Sequence, residues 1–185
     1  KRCAVALVGL LLDNGANPNA RGSQNDTPLH CVAEGDPPDD STYARQAYDV
    51  VKLLVKKGAL LEARNDDGLT PLHAAARSAN PFTAAELLVQ GANVNSRAEG
   101  LNSSAMNRLR EAMAQVSPLD MPDLTIGCTP LDLLMITAHT DSGNDAKKAR
   151  RIRLTASTLV HYGGKETESM SKNFDKWHLM RYGRK

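Results

Sequence analysis

The side chains of this sequence that could act as nucleophiles or bases are three cysteines and five histidines. Only His30 and Cys31 place an imidazole beside a thiol. Adjacent side chains on a helix do not face each other, so this pair cannot work as a base and a nucleophile. The cysteines are odd in number and have no CxxC spacing, which argues against a zinc site or a disulfide framework. We therefore expect a reducing, intracellular location, in the cytoplasm.

Clustered carboxylates are the other residues that could do chemistry. Residues 141–145 resemble a calcium-binding loop, but the position of its closing glutamate is occupied by Ile152. The acidic turn at residues 36–40 contains two prolines, which prevent a compact ligand cage. The phosphate-binding and nucleophile-elbow motifs are also missing. We predict no enzyme activity, no catalytic residue, no metal, no cofactor and no small-molecule substrate.

Basic residues are concentrated near the C-terminus. The net charge of +2 hides a division in which residues 1–146 are acidic and residues 147–185 carry 11 basic and 3 acidic side chains. Such a division predicts a basic tail that either meets an anionic partner or folds onto the acidic body of the chain. The basic cluster over residues 147–153 is either a solvated helix face or a patch that docks an anionic partner. In the tail, aromatic residues alternate with basic ones, as in nucleic-acid binders, although we favour capping or protein docking. The candidate anionic-partner patch consists of Lys147, Lys148, Arg150, Arg151, Arg153, Lys172, Lys176, Trp177 and Arg181.

An internal repeat indicates the elements that must position these residues. A Thr-Pro-Leu motif begins at Thr27, Thr70 and Thr129. Threonine caps helices well, and a proline directly after it needs no N–H in the first helical turn. Apolar runs that end in glycine predict the partner helices, because glycine readily takes the left-handed conformation after a helix. These glycines are Gly15, Gly58, Gly91 and Gly163.

Residues 65–96, with Thr70-Pro71-Leu72-His73 and Gly91-Ala92-Asn93-Val94-Asn95, resemble the ankyrin-repeat family almost without gaps. The resemblance extends over residues 4–164. It implies an all-α ankyrin-repeat solenoid of stacked helix-turn-helix units with short finger connectors, about three and a half repeats long. It also implies that His30 and His73 hold backbone groups of neighbouring connectors. In function it implies a non-catalytic protein-interaction module, an adaptor or scaffold that binds a protein partner through its concave surface.

The departures from the family spacing locate three insertions. The Thr-Pro motifs lie 43 and 59 residues apart, compared with about 33 in the family. We predict an ankyrin array over residues 1–164, with a partial first repeat and a helical insertion near 97–125, and a basic, aromatic tail over 165–185. Two second helices are expected to be lengthened, one from Ser41 to Val55 and one over 146–162.

The long insertion contains an amphipathic stripe over residues 104–116. An apolar stripe usually packs on a core, which is the reading we favour, but a stripe that contains methionine also suits a partner. The longest apolar run, Cys3–Leu12, is too short to cross a bilayer, so no membrane association is predicted. This run also imitates a signal peptide, although no small-residue cleavage site follows it.

The family resemblance also implies which residues face a partner. The charged ones in the first two of these repeats are mainly acidic, which predicts a partner with basic and some apolar character. Two alternatives stay open: a structural subunit of a large assembly, such as a ribonucleoprotein, held by the insertions and the basic tail, or the regulatory end of a larger enzyme. The expected partner-binding residues are Gln24, Asp26, Glu34, Asp66, Asp67, Leu69, Arg77, Ser78, Ile126, Cys128, Ile136 and Thr137.

Overall fold

The computed structural model describes residues 3–35, 41–98, 127–140 and 146–165. Within these ranges the chain forms seven α-helices and no β-strand. The helices are α1 (Cys3–Asp13), α2 (Pro28–Glu34), α3 (Ser41–Lys56), α4 (Pro71–Arg77), α5 (Pro81–Val89), α6 (Pro130–Thr140) and α7 (Ala146–His161).

The helices stack in two layers. An inner layer contains α2, α4 and α6, in which each helix packs on the next, and an outer layer contains α1, α3, α5 and α7. Within each repeat the inner helix packs on the outer one, as α2 does on α3, α4 on α5 and α6 on α7. The predicted solenoid of stacked helix pairs is therefore confirmed.

The inner helices begin as the Thr-Pro motif predicts. Thr27 and Thr70 have extended backbones with φ of −88° and −86°, and the proline after each is the first helical residue. The outer helices end at glycines in the left-handed conformation, such as Gly58 with φ of +91°. There the N–H of Ala59 donates to the carbonyl of Leu54, which satisfies a carbonyl at the end of the helix.

Leucine and alanine form the core between the layers. Ala74, Ala75 and Ala76 of α4 are completely buried, and these small side chains allow close approach of the neighbouring helices. Their outer counterparts include Leu54 and Leu87, which are also buried. A core built from leucine and alanine depends on this close packing, because any cavity left between the helices would lower the free energy of unfolding.

A ladder of side-chain bonds joins the turns that follow the outer helices. In the turns after α3, α5 and α7, a backbone N–H two residues after the glycine donates to a side chain of the preceding turn. This bond has the same position in all three turns and holds adjacent repeats in register. The three donor–acceptor pairs are Leu60 to Asn19, Asn93 to Glu62 and Lys165 to Asn95, each at 2.8 Å.

The lengthened outer helices have the predicted extents, since α3 runs over Ser41–Lys56 and α7 over Ala146–His161. Ala149 would lie on the inner face of α7 by its helical spacing from Ile152, Ala156 and Leu159, but it is exposed. Lys165, which the sequence placed in the tail, bonds through its backbone to Asn95 and Thr129 and so extends the ordered array. The helix expected over 104–116, the acidic turn at 36–40 and the tail after Lys165 lie outside the described residues.

Candidate protein-interaction surface

The connectors between repeats form narrow loops, here called fingers. The first finger consists of residues 22–26 and the second of residues 65–69. Each is closed by one backbone bond between its end residues, from Gly22 to Asp26 at 2.9 Å and from Asn65 to Leu69 at 3.1 Å. The equivalent bond of the third finger runs from Ala98 to Cys128 at 2.9 Å, and we call these two residues the neck. The long insertion is therefore carried by the third finger, between the neck residues.

An arginine ladder ties the fingers together. The guanidinium of Arg21 donates to the carbonyl of Asn25 in its own finger and to the carbonyl of Arg64 at the next, at 2.7 and 2.5 Å. Arg64 repeats this arrangement with Gly68 and Arg97, at 2.8 and 2.7 Å. Charged donors make stronger hydrogen bonds than neutral ones, so the ladder fixes the spacing of the fingers.

Two buried histidines lock the inner helices to the fingers. The Nε2 atom of His30 lies 2.9 Å from the carbonyl oxygen of Leu69, and Nε2 of His73 lies 2.9 Å from that of Cys128. The Nδ1 atom of each ring accepts the backbone N–H of the capping threonine, Thr27 or Thr70. Each ring must therefore carry its proton on Nε2, and the role implied for these histidines is confirmed.

Burial keeps both imidazoles neutral. It lowers the pKa of His73 to about 4 and lowers the pKa of His30, although the bonded carbonyl of Leu69 or Cys128 opposes the shift. In the last repeat Asp132 replaces the histidine. Its carboxylate accepts the N–H of Thr129 at 2.9 Å, so the helix cap is retained with a different acceptor.

The charged side chains of the surface are largely paired with each other. Arg77 of α4 binds Glu34 of α2 and also approaches Asp67 of the second finger at 3.6 Å. Two further carboxylates accept from the amides of neighbouring fingers, in the pairs Asp26–Asn65 and Asp66–Asn25. The surface is thus less acidic than its carboxylates alone suggest, because four arginines lie among them: Arg21, Arg64, Arg77 and Arg97.

The comparisons with known proteins agree with this geometry. The family model for ankyrin repeats (3 copies) matches residues 2–98, just over half of the chain. The chain belongs to the ankyrin-repeat family. The search of curated proteins gave no match to this sequence. Ankyrin repeats are generally protein–protein interaction modules and are typically non-catalytic.

The ankyrin array exposes some of the expected partner-binding residues. Gln24 and Asp66 are exposed at the tips of the first and second fingers. The others that reach the surface are half-buried on or beside the inner helices: Asp26, Glu34, Arg77, Ser78 and Thr137. Together these residues follow the fingers and the inner layer across adjacent repeats.

Four of the expected residues are buried, so their assignment to a free surface is wrong. Leu69 packs with Ala98 and Leu133 beneath the second finger, where burial of a large apolar side chain is favourable. Ile136 of α6 is fully buried for the same physical reason. Asp67 is buried, with its carboxylate close to the guanidinium of Arg77. Cys128 is buried at the neck. Ile126 lies outside the described residues.

The candidate anionic-partner patch lies elsewhere on the ankyrin array. Its described members all belong to α7, in the outer layer, whereas the fingers border the inner layer. Lys147, Arg150 and Arg153 are exposed, and Lys148 and Arg151 are half-buried. Helix α7 contains no acidic residue. The members in the tail, Lys172, Lys176, Trp177 and Arg181, lie outside the described residues.

Sequence reasoning missed the arginine ladder. The sequence does contain a regular spacing that could have revealed it: Arg21 and Arg64 each stand six residues before the threonine of the next Thr-Pro motif. Arg97 does not keep this spacing, because the insertion separates it from Thr129. The structural role of these arginines could not be read from the sequence, because they bind backbone carbonyls. Every residue has a backbone carbonyl, so the acceptor cannot be recognised from the residue type.

Among the described residues no three histidine, cysteine, aspartate or glutamate side chains come together as metal ligands. Burial raises the pKa of the Cys128 thiol to about 12 and raises that of Cys31, so neither is held as a thiolate near neutral pH. No helix in the described part is long and apolar enough to cross a membrane.

Proposed function

We propose that this chain is a protein-recognition adaptor or scaffold without catalytic activity. Its protein partner would bind across the first and second fingers and the adjoining faces of α2 and α4. The observation that carries this proposal is the fixed spacing of the fingers, which the arginine ladder and the histidine bonds maintain. A surface ordered before binding loses less conformational entropy when the partner docks.

The pairing of charges refines the chemistry of the proposed partner. We retain a partner with basic and some apolar character, because Asp66 presents an exposed carboxylate at the tip of the second finger. Since Arg77 and the ladder arginines balance the other carboxylates, attraction from a distance would contribute little. Recognition would rest on short-range pairing and packing, so we expect the affinity to change only weakly with salt.

Site-specific photo-crosslinking tests the proposal. A photoreactive residue replaces Gln24 on the first finger or, in a matched control, Leu154, which is exposed on α7 in the outer layer. In a lysate of the source cells we expect the Gln24 position to crosslink a discrete protein that the Leu154 position does not. Equal crosslinking from both positions would contradict a partner site on the fingers.

A structural subunit of a large assembly is the second candidate, and two observations favour it. The backbone bond of the neck joins Ala98 to Cys128, on either side of the insertion in the sequence, and α7 exposes basic side chains such as Arg150 and Arg153. The contacts would then come from the insertion, α7 and the tail, with nucleic acid as one candidate ligand. Binding to nucleic acid falls steeply with salt, so a salt titration of the captured complex separates the two candidates. For either function we propose an intracellular, cytoplasmic location.

A further inference from the structure

The solvent side of the outer layer is apolar at its centre. In α3, α5 and α7 the solvent-facing residues stand nine, six and two positions before the glycine that follows each helix. In α5 these residues are Phe82, which is 42% exposed, Ala85, which is half-buried, and Val89, which is 55% exposed. Phe82 and Val89 are seven residues apart, so they share one face of the helix over about 10 Å. An apolar stripe therefore lies on the exposed face of α5.

The equivalent positions of α3 show that the fold does not require this stripe. They carry Asp49, Lys52 and Lys56, which are all exposed. Helix α3 packs on an outer helix at each side, as α5 does, so the stacking of repeats leaves these positions open in both helices. Since charged residues suit the position in α3, the contiguous apolar residues of α5 indicate a surface that contacts a partner.

Leu154 continues the stripe onto α7. It stands nine residues before Gly163, as Phe82 stands nine residues before Gly91, and it is 45% exposed. Helices α5 and α7 pack on each other, so these two side chains lie side by side on adjacent helices. We call the three exposed residues the outer apolar patch: Phe82, Val89 and Leu154.

Basic side chains border the outer apolar patch on the side of α7. Arg150 lies one turn before Leu154 on the same face of the helix, Arg153 directly precedes Leu154, and both arginines are exposed. In the part of the chain that the structure describes, neither arginine is paired with a carboxylate. Their charges differ in this respect from that of Arg77, which binds Glu34. The patch thus has a basic edge that is open to a partner.

Acidic side chains contribute little to this face. Helix α7 contains none, and Glu86 of α5 is fully buried, where its carboxylate accepts from the amide of Gln90. On the side of α3, the exposed carboxylate of Asp49 lies one turn from the exposed ammonium of Lys52. One edge of the patch is therefore basic and the other is mixed, which would orient a bound segment.

We propose that the outer apolar patch binds a short acidic, amphipathic segment of a partner protein. The apolar side chains of the segment would pack on the patch, and its carboxylates would pair with Arg150 and Arg153. A protein segment fits this surface better than nucleic acid or an anionic membrane does. Val89 and Leu154 cannot stack on bases, and Asp49 would face the phosphates of either ligand.

This site goes beyond the proposed function, because it lies on the outer layer and the fingers border the inner one. It would take a different partner from the one proposed for the fingers. Either site can therefore be absent without affecting the other.

Selection from random peptides tests the proposal without a known partner. The full chain is immobilised, and a phage library displays random peptides of about 16 residues, enough for four helical turns. We expect a class of selected peptides that combine apolar residues with an excess of aspartate and glutamate. These peptides should bind Phe82→Ser at least about tenfold more weakly. The proposal would be overturned if no selected peptide depended on Phe82, or if the dependent peptides were rich in lysine and arginine.

Matched variants locate the binding of a selected peptide. Leu60→Ser is the apolar control, because Leu60 is 60% exposed in the turn after α3 and lies away from the patch. Arg153→Glu should weaken binding by about tenfold, whereas Lys165→Glu, at an exposed lysine in the turn after α7, should change it little. Circular dichroism should first show that each variant is folded. Equal effects of a variant and its control would count against the patch.

A variant of the fingers separates the two proposed sites. Gln24→Ala combined with Asp66→Lys should leave binding of the selected peptide unchanged. Loss of peptide binding in this variant would place the peptide on the fingers and overturn the assignment to the outer layer.

The other possible occupants are tested with the same variants. The probes are a single-stranded RNA oligonucleotide, vesicles of phosphatidylserine and phosphatidylcholine, and a second copy of the chain followed by sedimentation. We expect no binding to RNA or vesicles that Phe82→Ser removes, and no dimer that it dissociates. Either kind of binding, if it also competes with the selected peptide, would overturn a protein segment as the occupant. A dimer that Phe82→Ser dissociates would make the patch an interface between copies instead.

Discussion

At the scale of single residues, the buried histidines make stability depend on pH. The folded-state pKa of His73 is about 4, below its ordinary value of 6.5, so the unfolded chain binds more protons between these values. Stability should therefore be complete above about pH 6.5 and should fall as the pH drops towards 4. A shift of this size corresponds to a loss of roughly 3 kcal/mol at most in the free energy of unfolding for His73. The lowered pKa of His30 acts in the same direction.

Chemical denaturation between pH 7.5 and 4 measures this effect. A His73→Gln variant should be less stable at pH 7.5, because it loses the ring contacts, but it should show a shallower decline on acidification. A decline equally steep in the variant would mean that other groups cause the acid sensitivity.

Gly127 beside the neck is a second residue whose identity the backbone requires. It has a φ of +84°, and a Cβ atom built on it would lie 2.5 Å from the carbonyl oxygen of Ala98. Gly127→Ala should thus destabilise the protein by about 2–3 kcal/mol, through backbone strain and the displaced neck bond. Gly15→Ala is the matched control, because Gly15 has a similar φ of +89° and open space around it. The control should lower the free energy of unfolding by only about 1 kcal/mol. Equal losses for both variants in urea denaturation would contradict the close backbone approach at the neck.

At the scale of elements, the arginine ladder should hold the fingers without being needed for the helices. Arg64→Met removes the bonds to Gly68 and Arg97 but keeps most of the side-chain volume. Hydrogen exchange should become faster in the second finger and at the neck, while the protection of α4 and α5 changes little. The control Arg150→Met, at an exposed position on α7, should change neither region. Faster exchange throughout α4 and α5 would show that the ladder supports the helices themselves.

The elements themselves were largely predictable from sequence. Helix starts at Thr27 and Thr70 follow from capping and from proline geometry, and helix ends follow from glycine conformation, so local chemistry was sufficient. The extents of α3 and α7 were predicted for the same reason. The burial of Leu69 could not be predicted, because it depends on Ala98 and Leu133, which belong to a different finger and a different repeat.

At the scale of the whole molecule, the charge of the candidate interaction surface was the main feature that sequence reasoning could not supply. Carboxylates such as Glu34 pointed to an acidic surface, whereas the fold brings Arg77 from the next repeat to neutralise it. Pairing between residues that are far apart in sequence follows from the stacking of repeats, not from any local pattern.

The partner site is proposed on the fingers and the inner layer. Quantitative affinity capture from a lysate of the source cells, with nuclease present, tests this placement most directly. The finger variant combines Gln24→Ala with Asp66→Lys, and the control combines Lys147→Ala, Arg150→Ala and Arg153→Ala on α7. Circular dichroism should first show that both variants are folded. We predict that the finger variant captures at least about tenfold less of the partner and that the α7 variant captures an unchanged amount. Retention by the finger variant, with loss in the α7 variant, would contradict the account.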